Sequence, residues 1–205
     1  MIFLKLTILS SVLSYFIGSV SFAVILSKKM TGKDIRNAGS GNAGATNVLR
    51  TSGKKAAVLV FLLDFIKGFI SVIIARCFVM FFEAPYECVY FAGFFAQVGH
   101  CFPVFFGFRG GKGVATAAGA ATAVMPATAA VLIAVFSVIA LITRTASLAS
   151  CTCAVLYPLL AYFMTDGKNI FKFMFAASCS VLIIVMHGAN IARLLDGEQK
   201  PVSSK

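Results

Sequence analysis

Ala56-Ala-Val-Leu-Val-Phe-Leu-Leu-Asp-Phe-Ile-Lys-Gly-Phe-Ile-Ser-Val-Ile-Ile-Ala-Arg-Cys-Phe-Val-Met-Phe-Phe82 decides the fold. The run outlasts the ~20 residues that carry a helix across ~30 Å of hydrocarbon, and similar runs recur along the chain. Of 205 residues, 60% are hydrophobic and 12% charged, with a mean hydropathy of +0.94, far from the averages of soluble domains. The reading is an all-α integral membrane protein, one polytopic membrane domain over residues 1–205 with no separate soluble domain. Asp64 and Lys67 stand three apart on one helical face. Asp64 lies about nine residues, roughly 13 Å, past the preceding lysines, too deep for surface charge. The pair is expected inside the bundle, fixing helix packing rather than doing chemistry.

Working outward from that run, residues 3–27 form a first, retained span, because no cleavage site leads into a polar mature domain. Its Gly18-Ser-Val-Ser21 offers a small, hydrogen-bonding face of the kind that lets membrane helices approach closely. Residues 28–55 carry Lys28, Lys29, Lys33, Arg36, Arg50, Lys54 and Lys55 against Asp34 alone, which places them in the cytoplasm by the positive-inside rule. Glu83 and Glu87 around Pro85 mark the opposite side, and Cys88 to about Phe106 returns. Val114 to Ile142 is alanine-rich with Pro126 near its middle. One tilted helix would strand Arg144 on the acidic side, whereas a hairpin turning at Met125-Pro126 brings it back, and the hairpin is the reading. Ser147 to Phe163 spans again with a kink expected at Pro158, Thr165 to Asn169 turns on the acidic side, and Phe171 to Met186 is the last span. The expectation is about seven transmembrane helices with the N-terminus outside and the C-terminus cytoplasmic. Motif loops near 28–55, 105–113, 143–147 and 187–205 then share one face.

Charge and cysteine usage narrow the function. The net charge of +11 is accounted for by positive-inside asymmetry, so no nucleic-acid partner is implied. Cys77, Cys88, Cys101, Cys151, Cys153 and Cys179 lack zinc-site spacing and read as reduced packing residues. Cys151 and Cys153 diverge around a helix and make a poor metal pair.

Four segments on the basic face carry chemistry. Ser40, Gly41, Asn42, Gly44, Thr46, Asn47 and Arg50 combine small residues, hydroxyls and amides with a guanidinium suited to phosphate. Gly107-Phe-Arg-Gly-Gly-Lys-Gly-Val-Ala-Thr116 surrounds Lys112 with Gly110, Gly111 and Gly113, whose backbone can approach an anion closely; Arg109 is open between substrate and a lipid head group. Arg144-Thr-Ala-Ser147 places a hydroxyl at a helix start. His187, Asn190 and Arg193 recur every three residues and can share a helical stripe. His100 reads as a helix-end or packing histidine, since no partner for it is visible in sequence. The site is rich in anion-binding groups and poor in carboxylates, which favours transfer between phosphate-bearing substrates without a metal. Ser40 and Ser147 read as phosphate donors rather than nucleophiles.

Ser40-Gly-Asn-Ala-Gly-Ala-Thr-Asn-Val-Leu-Arg50, Gly99-His-Cys-Phe-Pro-Val-Phe-Phe-Gly-Phe-Arg-Gly-Gly-Lys-Gly-Val-Ala-Thr116 and His187-Gly-Ala-Asn-Ile-Ala-Arg-Leu-Leu195 together resemble the bacterial acyl-phosphate:glycerol-3-phosphate acyltransferases, in order and over nearly the whole chain. The resemblance implies seven transmembrane helices in the bacterial inner membrane and an active site on the cytoplasmic side. It implies acyl transfer from acyl phosphate to the sn-1 hydroxyl of glycerol 3-phosphate, giving lysophosphatidic acid and phosphate for phospholipid synthesis, with no cofactor, metal or acyl-enzyme. By that resemblance Ser40, Arg50, Lys112 and Ser147 bind phosphate, His187 and Asn190 contact glycerol phosphate, and Asn42, Thr46 and Asn47 shape the pocket. Lys112, Ser147, His187 and Asn190 form its catalytic set, with Gly41, Gly110, Gly111 and Gly113 lining the substrate. A soluble enzyme that makes acyl phosphate is an implied partner. Ala43 and Ser21 stand where the family usually has proline, Gly188 where it has arginine, and the stretch after Gly197 is one residue short.

Two other readings use the same basic face. A transporter for a phosphorylated anion calls for polar residues continuing across the membrane, and only Asp64 and Lys67 are evident. An acyl-CoA or acyl-carrier-protein enzyme with a His-x4-Asp pair meets Phe105 after His100 and Ala192 after His187.

Overall fold

The computed structural model describes residues 2–165 and 169–196. Ten α-helices follow in chain order: α1 (Ile2–Gly18), α2 (Phe22–Thr31), α3 (Ala45–Ser52), α4 (Lys54–Phe82), α5 (Cys88–Cys101), α6 (Val114–Val124), α7 (Pro126–Thr143), α8 (Ala146–Met164), α9 (Ile170–Met186) and α10 (Gly188–Leu195). Short 3-10 turns cover Ile35–Asn37 and Val104–Phe106, and no strand occurs among the described residues. The expected turn around Asp166 to Lys168 and the tail from Gly197, with Glu198, Lys200 and Lys205, lie outside them.

Among the described residues, five stretches are long and apolar enough to cross a membrane: Phe3–Thr31, Lys54–Phe82, Cys88–Phe106, Pro126–Thr143 and Ala146–Met164. α9 has 17 residues. α6 has only 11, about 16 Å of helix, too short to cross hydrocarbon alone. The expected break at Met125-Pro126 is present, with Met125 between α6 and α7 and Pro126 at the first turn of α7, where its missing N–H costs nothing. α8 runs through Pro158 as one helix.

The first span departs from the single helix expected. It breaks at Ser19 to Ser21, where Lys67 Nζ donates to the Val20 carbonyl at 2.8 Å. A carbonyl freed by a helix break needs such a partner in hydrocarbon. Lys67 also pairs with Asp64 at 2.9 Å, the ion pair anticipated from their spacing. Gly18 meets its neighbour as expected: a Cβ there would fall 2.0 Å from the Ala96 carbonyl oxygen of α5.

Small residues make the centre of the bundle. Ala75, Ala92, Ala120 and Ala176 are fully buried among Val72, Val89 and Tyr157. Leu4, Ile8, Leu141, Phe163 and Val185 face outward. That inversion of bulk is expected where helices associate by close packing rather than by escape from water. α4 and α6 run parallel: Gly68 packs on the Thr116 carbonyl and Gly119 on the Phe65 carbonyl, while Arg76 donates to the Ala123 carbonyl at 2.6 Å. The result sets the N-terminus of α6 beside Asp64, well along α4.

Candidate active site

The loop between α2 and α3 is organised by one side chain. Asn47, 1% exposed, accepts from Ser40 N through Oδ1 at 2.9 Å. Its Nδ2 reaches the carbonyls of Ala38, Asn42 and Ile35 at 2.9, 3.0 and 3.2 Å. Asn47 therefore fastens the loop, and it does so from a position on the cavity lining. Asp34 holds Arg36 through Nε and Nη2 at 3.0 and 2.8 Å, and Arg36 Nη1 donates to the Phe106 carbonyl at 2.6 Å. Those bonds keep the Asp34 carboxyl well below the usual carboxylate range and tie the first motif to the second.

The second motif is clamped by its backbone. Gly110 N and Gly111 N donate to the carbonyls of Cys101 and His100 at 3.2 and 3.1 Å, satisfying the end of α5. These two N–H groups are accordingly turned away from any anion, against the expectation that they would bind it. Gly111 is buried between loops, and a Cβ there would lie 2.2 Å from His100 Nε2 and 2.7 Å from the Ala43 carbonyl. Gly113 takes φ +76° and opens α6, whose first N–H groups lack intrahelical partners.

These elements enclose one cavity of about 420 Å³. All four sequence segments reach it. Ser40, Gly41, Asn42, Thr46, Asn47 and Arg50 line one side; Arg109, Gly110, Lys112 and Gly113 line another; Ser147 comes from α8, and His187, Asn190 and Arg193 from the α9–α10 junction. Of the expected site residues only Gly111 lies behind the wall. That Lys112 and Ser147 share a wall means the α6–α7 hairpin does return the chain to its starting side. Asp64 and His100 also line the cavity, though sequence placed neither there; the signal that was available was the depth of Asp64 together with the position of His100 just before the glycine loop.

Lys112 Nζ donates to Asn190 Oδ1. Burial pulls its ammonium down to about 8, Cys151 opposing and Arg193 and Arg50 reinforcing, so it is a cation at neutral pH. His187, 3% exposed, is tied through Nδ1 to the Ile183 carbonyl at 2.8 Å. That contact makes Nδ1 the donor and leaves Nε2 with its lone pair. Burial, reinforced by Lys112 and opposed by the Ile183 carbonyl, pulls the imidazole down to about 4, so His187 is neutral. The starts of α3, α6, α8 and α10 all contribute lining residues, and helix starts favour anions. Phe61, Phe136 and Met186 supply an apolar wall.

The model of the glycerol-3-phosphate acyltransferase family matches residues 8–197. The chain belongs to that family. A glycerol-3-phosphate acyltransferase of Neisseria meningitidis serogroup C is 44% identical over 193 residues, covering 94% of this chain and 95% of its own. One from Aquifex aeolicus is 43% identical over 188 residues, covering 92% and 95%. Among solved structures, PlsY, an integral membrane glycerol 3-phosphate acyltransferase, matches in its glycerol 3-phosphate form with a TM-score of 0.85 and 42% identity, covering 95% of this chain and 94% of that one. Its lysophosphatidic acid form matches with a TM-score of 0.83 and 39% identity, at the same coverage. Membership makes this an acyltransferase of phospholipid synthesis built from membrane helices.

Proposed function

We propose that the cavity transfers a fatty acyl group from acyl phosphate to the sn-1 hydroxyl of glycerol 3-phosphate, releasing lysophosphatidic acid and phosphate. The observation that carries this reading is that residues at the starts of four helices and the cations Arg50, Arg109, Lys112 and Arg193 line one space with an apolar wall. Two phosphate-bearing molecules and one acyl chain need that combination. The glycerol oxygen attacks the acyl carbon, the bond from that carbon to the phosphate oxygen breaks, and inorganic phosphate leaves. Lys112, with Ser147 and the N–H groups at the starts of α6 and α8, stabilises the departing phosphate. Ser40 and Arg50 hold phosphate from the opposite wall. Neutral His187 accepts a hydrogen bond from a glycerol hydroxyl, Asn190 orients the same molecule, and the hydroxyl proton passes to phosphate. Bringing donor and acceptor together supplies much of the acceleration. The acyl tail leaves along Phe61, Phe136 and Met186 toward the hydrocarbon.

The same reading sets the topology: seven membrane segments with α6 entering as a short one, the N-terminus outside, and the cavity open to the cytoplasmic side of the bacterial inner membrane. A soluble acyl-phosphate-producing enzyme is the source of donor. Purified protein is to be given glycerol 3-phosphate with acyl phosphate, acyl-CoA or acyl carrier protein in parallel, with lysophosphatidic acid measured. Product from acyl phosphate alone is expected, and product from acyl-CoA alone would reverse the donor assignment. Single cysteines at 46, 109 and 144 are expected to label from the cytoplasmic side; labelling of 144 from outside would refute the topology.

A further inference from the structure

We propose that Asp64, Lys67 and His100 form a positioning network that holds the Lys112 loop over the cavity. Contacts run without interruption from the break in the first span to the glycine loop. Lys67 Nζ donates to the Val20 carbonyl at 2.8 Å and forms an ion pair with Asp64 Oδ1 at 2.9 Å. The same oxygen lies 3.4 Å from His100 Nδ1. The His100 carbonyl accepts Gly111 N at 3.1 Å, and its ring edge lies directly under Gly111, one residue from Lys112.

Stability does not account for such a network. Asp64, Lys67 and His100 are 2%, 4% and 7% exposed, and a buried ion pair is often no more stabilising than apolar residues of the same volume. What the network fixes is geometry. The carboxylate stands 3.4 Å from the imidazole Nδ1, close enough to attract an N–H there but short of a formed hydrogen bond, and the ring bounds how close Gly111 approaches α5. Gly111 is wedged between that ring and the Ala43 carbonyl, so a turned ring moves the loop, and Lys112 with it. Displacements near 1 Å at a catalytic cation cost about 100-fold in rate. The inference rests on the acyl-transfer reading for what Lys112 does, but not for how its loop is held.

His100→Phe, His100→Asn and His100→Gln test it in the full-length protein. Phe keeps the ring without the donor, Asn presents an amide N–H near the Nδ1 position, and Gln presents one near Nε2. Turnover and KM for glycerol 3-phosphate are read with the donor that the wild type uses. The rate at which an amine-reactive reagent modifies Lys112 is read by mass spectrometry. His100→Phe is expected to fold, to lose about 100-fold in kcat with KM changed less than about threefold, and to label at Lys112 about fivefold faster. His100→Asn is expected to recover kcat to within about tenfold of wild type and to slow the labelling again; His100→Gln is expected to do neither. Wild-type turnover and labelling in His100→Phe overturn the proposal. Recovery by Gln but not Asn overturns it too, by making Nε2 the working atom. If His100→Phe does not fold, the Asn and Gln pair decides the matter. Wild-type protein inert toward acyl phosphate counts against the acyl-phosphate reading alone, because the labelling arm reports on the loop without any donor.

Discussion

The two glycine-rich segments look alike in sequence, each placing several glycines within a few residues of a basic side chain, yet they are held by different means. In the loop from Gly39 to Gly44 a single side chain, Asn47, gathers the backbone from within, and Gly41 is needed because it turns through φ +74°. In the loop from Gly107 to Gly113 the backbone bonds outward to the end of α5, and Gly111 is needed because a methyl group has no room. The first loop is stapled chiefly from within, and the second is chiefly a part fitted against a neighbour, although Gly107 and Gly113 at its two ends also take positive φ. A motif written in glycines therefore leaves open whether it is defined by conformation or by contact.

Substitutions can break this contrast, and the largest effect is expected at the cation. Lys112→Ala should lower kcat by about 1,000-fold while the thermal midpoint stays near wild type, since a charge aimed at the departing phosphate is removed and little packing is lost; near-normal turnover would take Lys112 out of the mechanism. Gly111→Ala should cost about 100-fold in kcat, because loop and imidazole must part. Turnover close to wild type there would mean the second loop is defined by conformation after all.

Acidity gives a third handle. Lys112 titrates near 8, lowered from its ordinary value, so it is charged below that pH and neutral above it. Activity carried by the cation should fall about tenfold per pH unit as pH rises past 8 in kcat/KM, which reports the free enzyme. Bound phosphate favours the ammonium, so the fall in kcat should come at higher pH. His187 titrates near 4 and stays neutral as the pH falls to 5, so no loss from its protonation is expected in that range. A fall in kcat/KM centred near 6.5 that persists after the ionisation of the substrate phosphate, at about 6, is divided out and that is lost in His187→Asn would show that His187 titrates as an exposed imidazole.

Smaller effects fall on the first loop. Asn47→Ala should cost about 3 kcal/mol of stability, read as a lower thermal midpoint in detergent, by leaving buried carbonyls without a donor. Gly41→Ala should cost only about 1–2 kcal/mol, the strain of a left-handed residue with a side chain. If Gly41→Ala proved as damaging to turnover as Gly111→Ala, the two loops would not differ in kind.

Much of this was legible before any coordinates. The apolar run from Ala56 to Phe82 announced membrane helices, Pro126 marked the break between α6 and α7, and Lys112, Ser147 and His187 were identifiable as one chemistry by type and family resemblance. Those features depend on local composition or short spacing, which a sequence displays directly. The break at Ser19 to Ser21 was not legible, because the lysine that satisfies Val20 lies 47 positions away. Nor was the place of Asp64 and His100 in the cavity wall, which follows from where α4 and α5 cross beneath the glycine loop. The sequence by itself determined the solvent each helix faces and the kinds of groups available for phosphate. The tertiary structure alone decided which N–H groups are taken by α5, that Asn47 staples its loop, and which histidine meets a carboxylate. Such outcomes turn on contacts between residues far apart in the chain, whose distances no local pattern encodes.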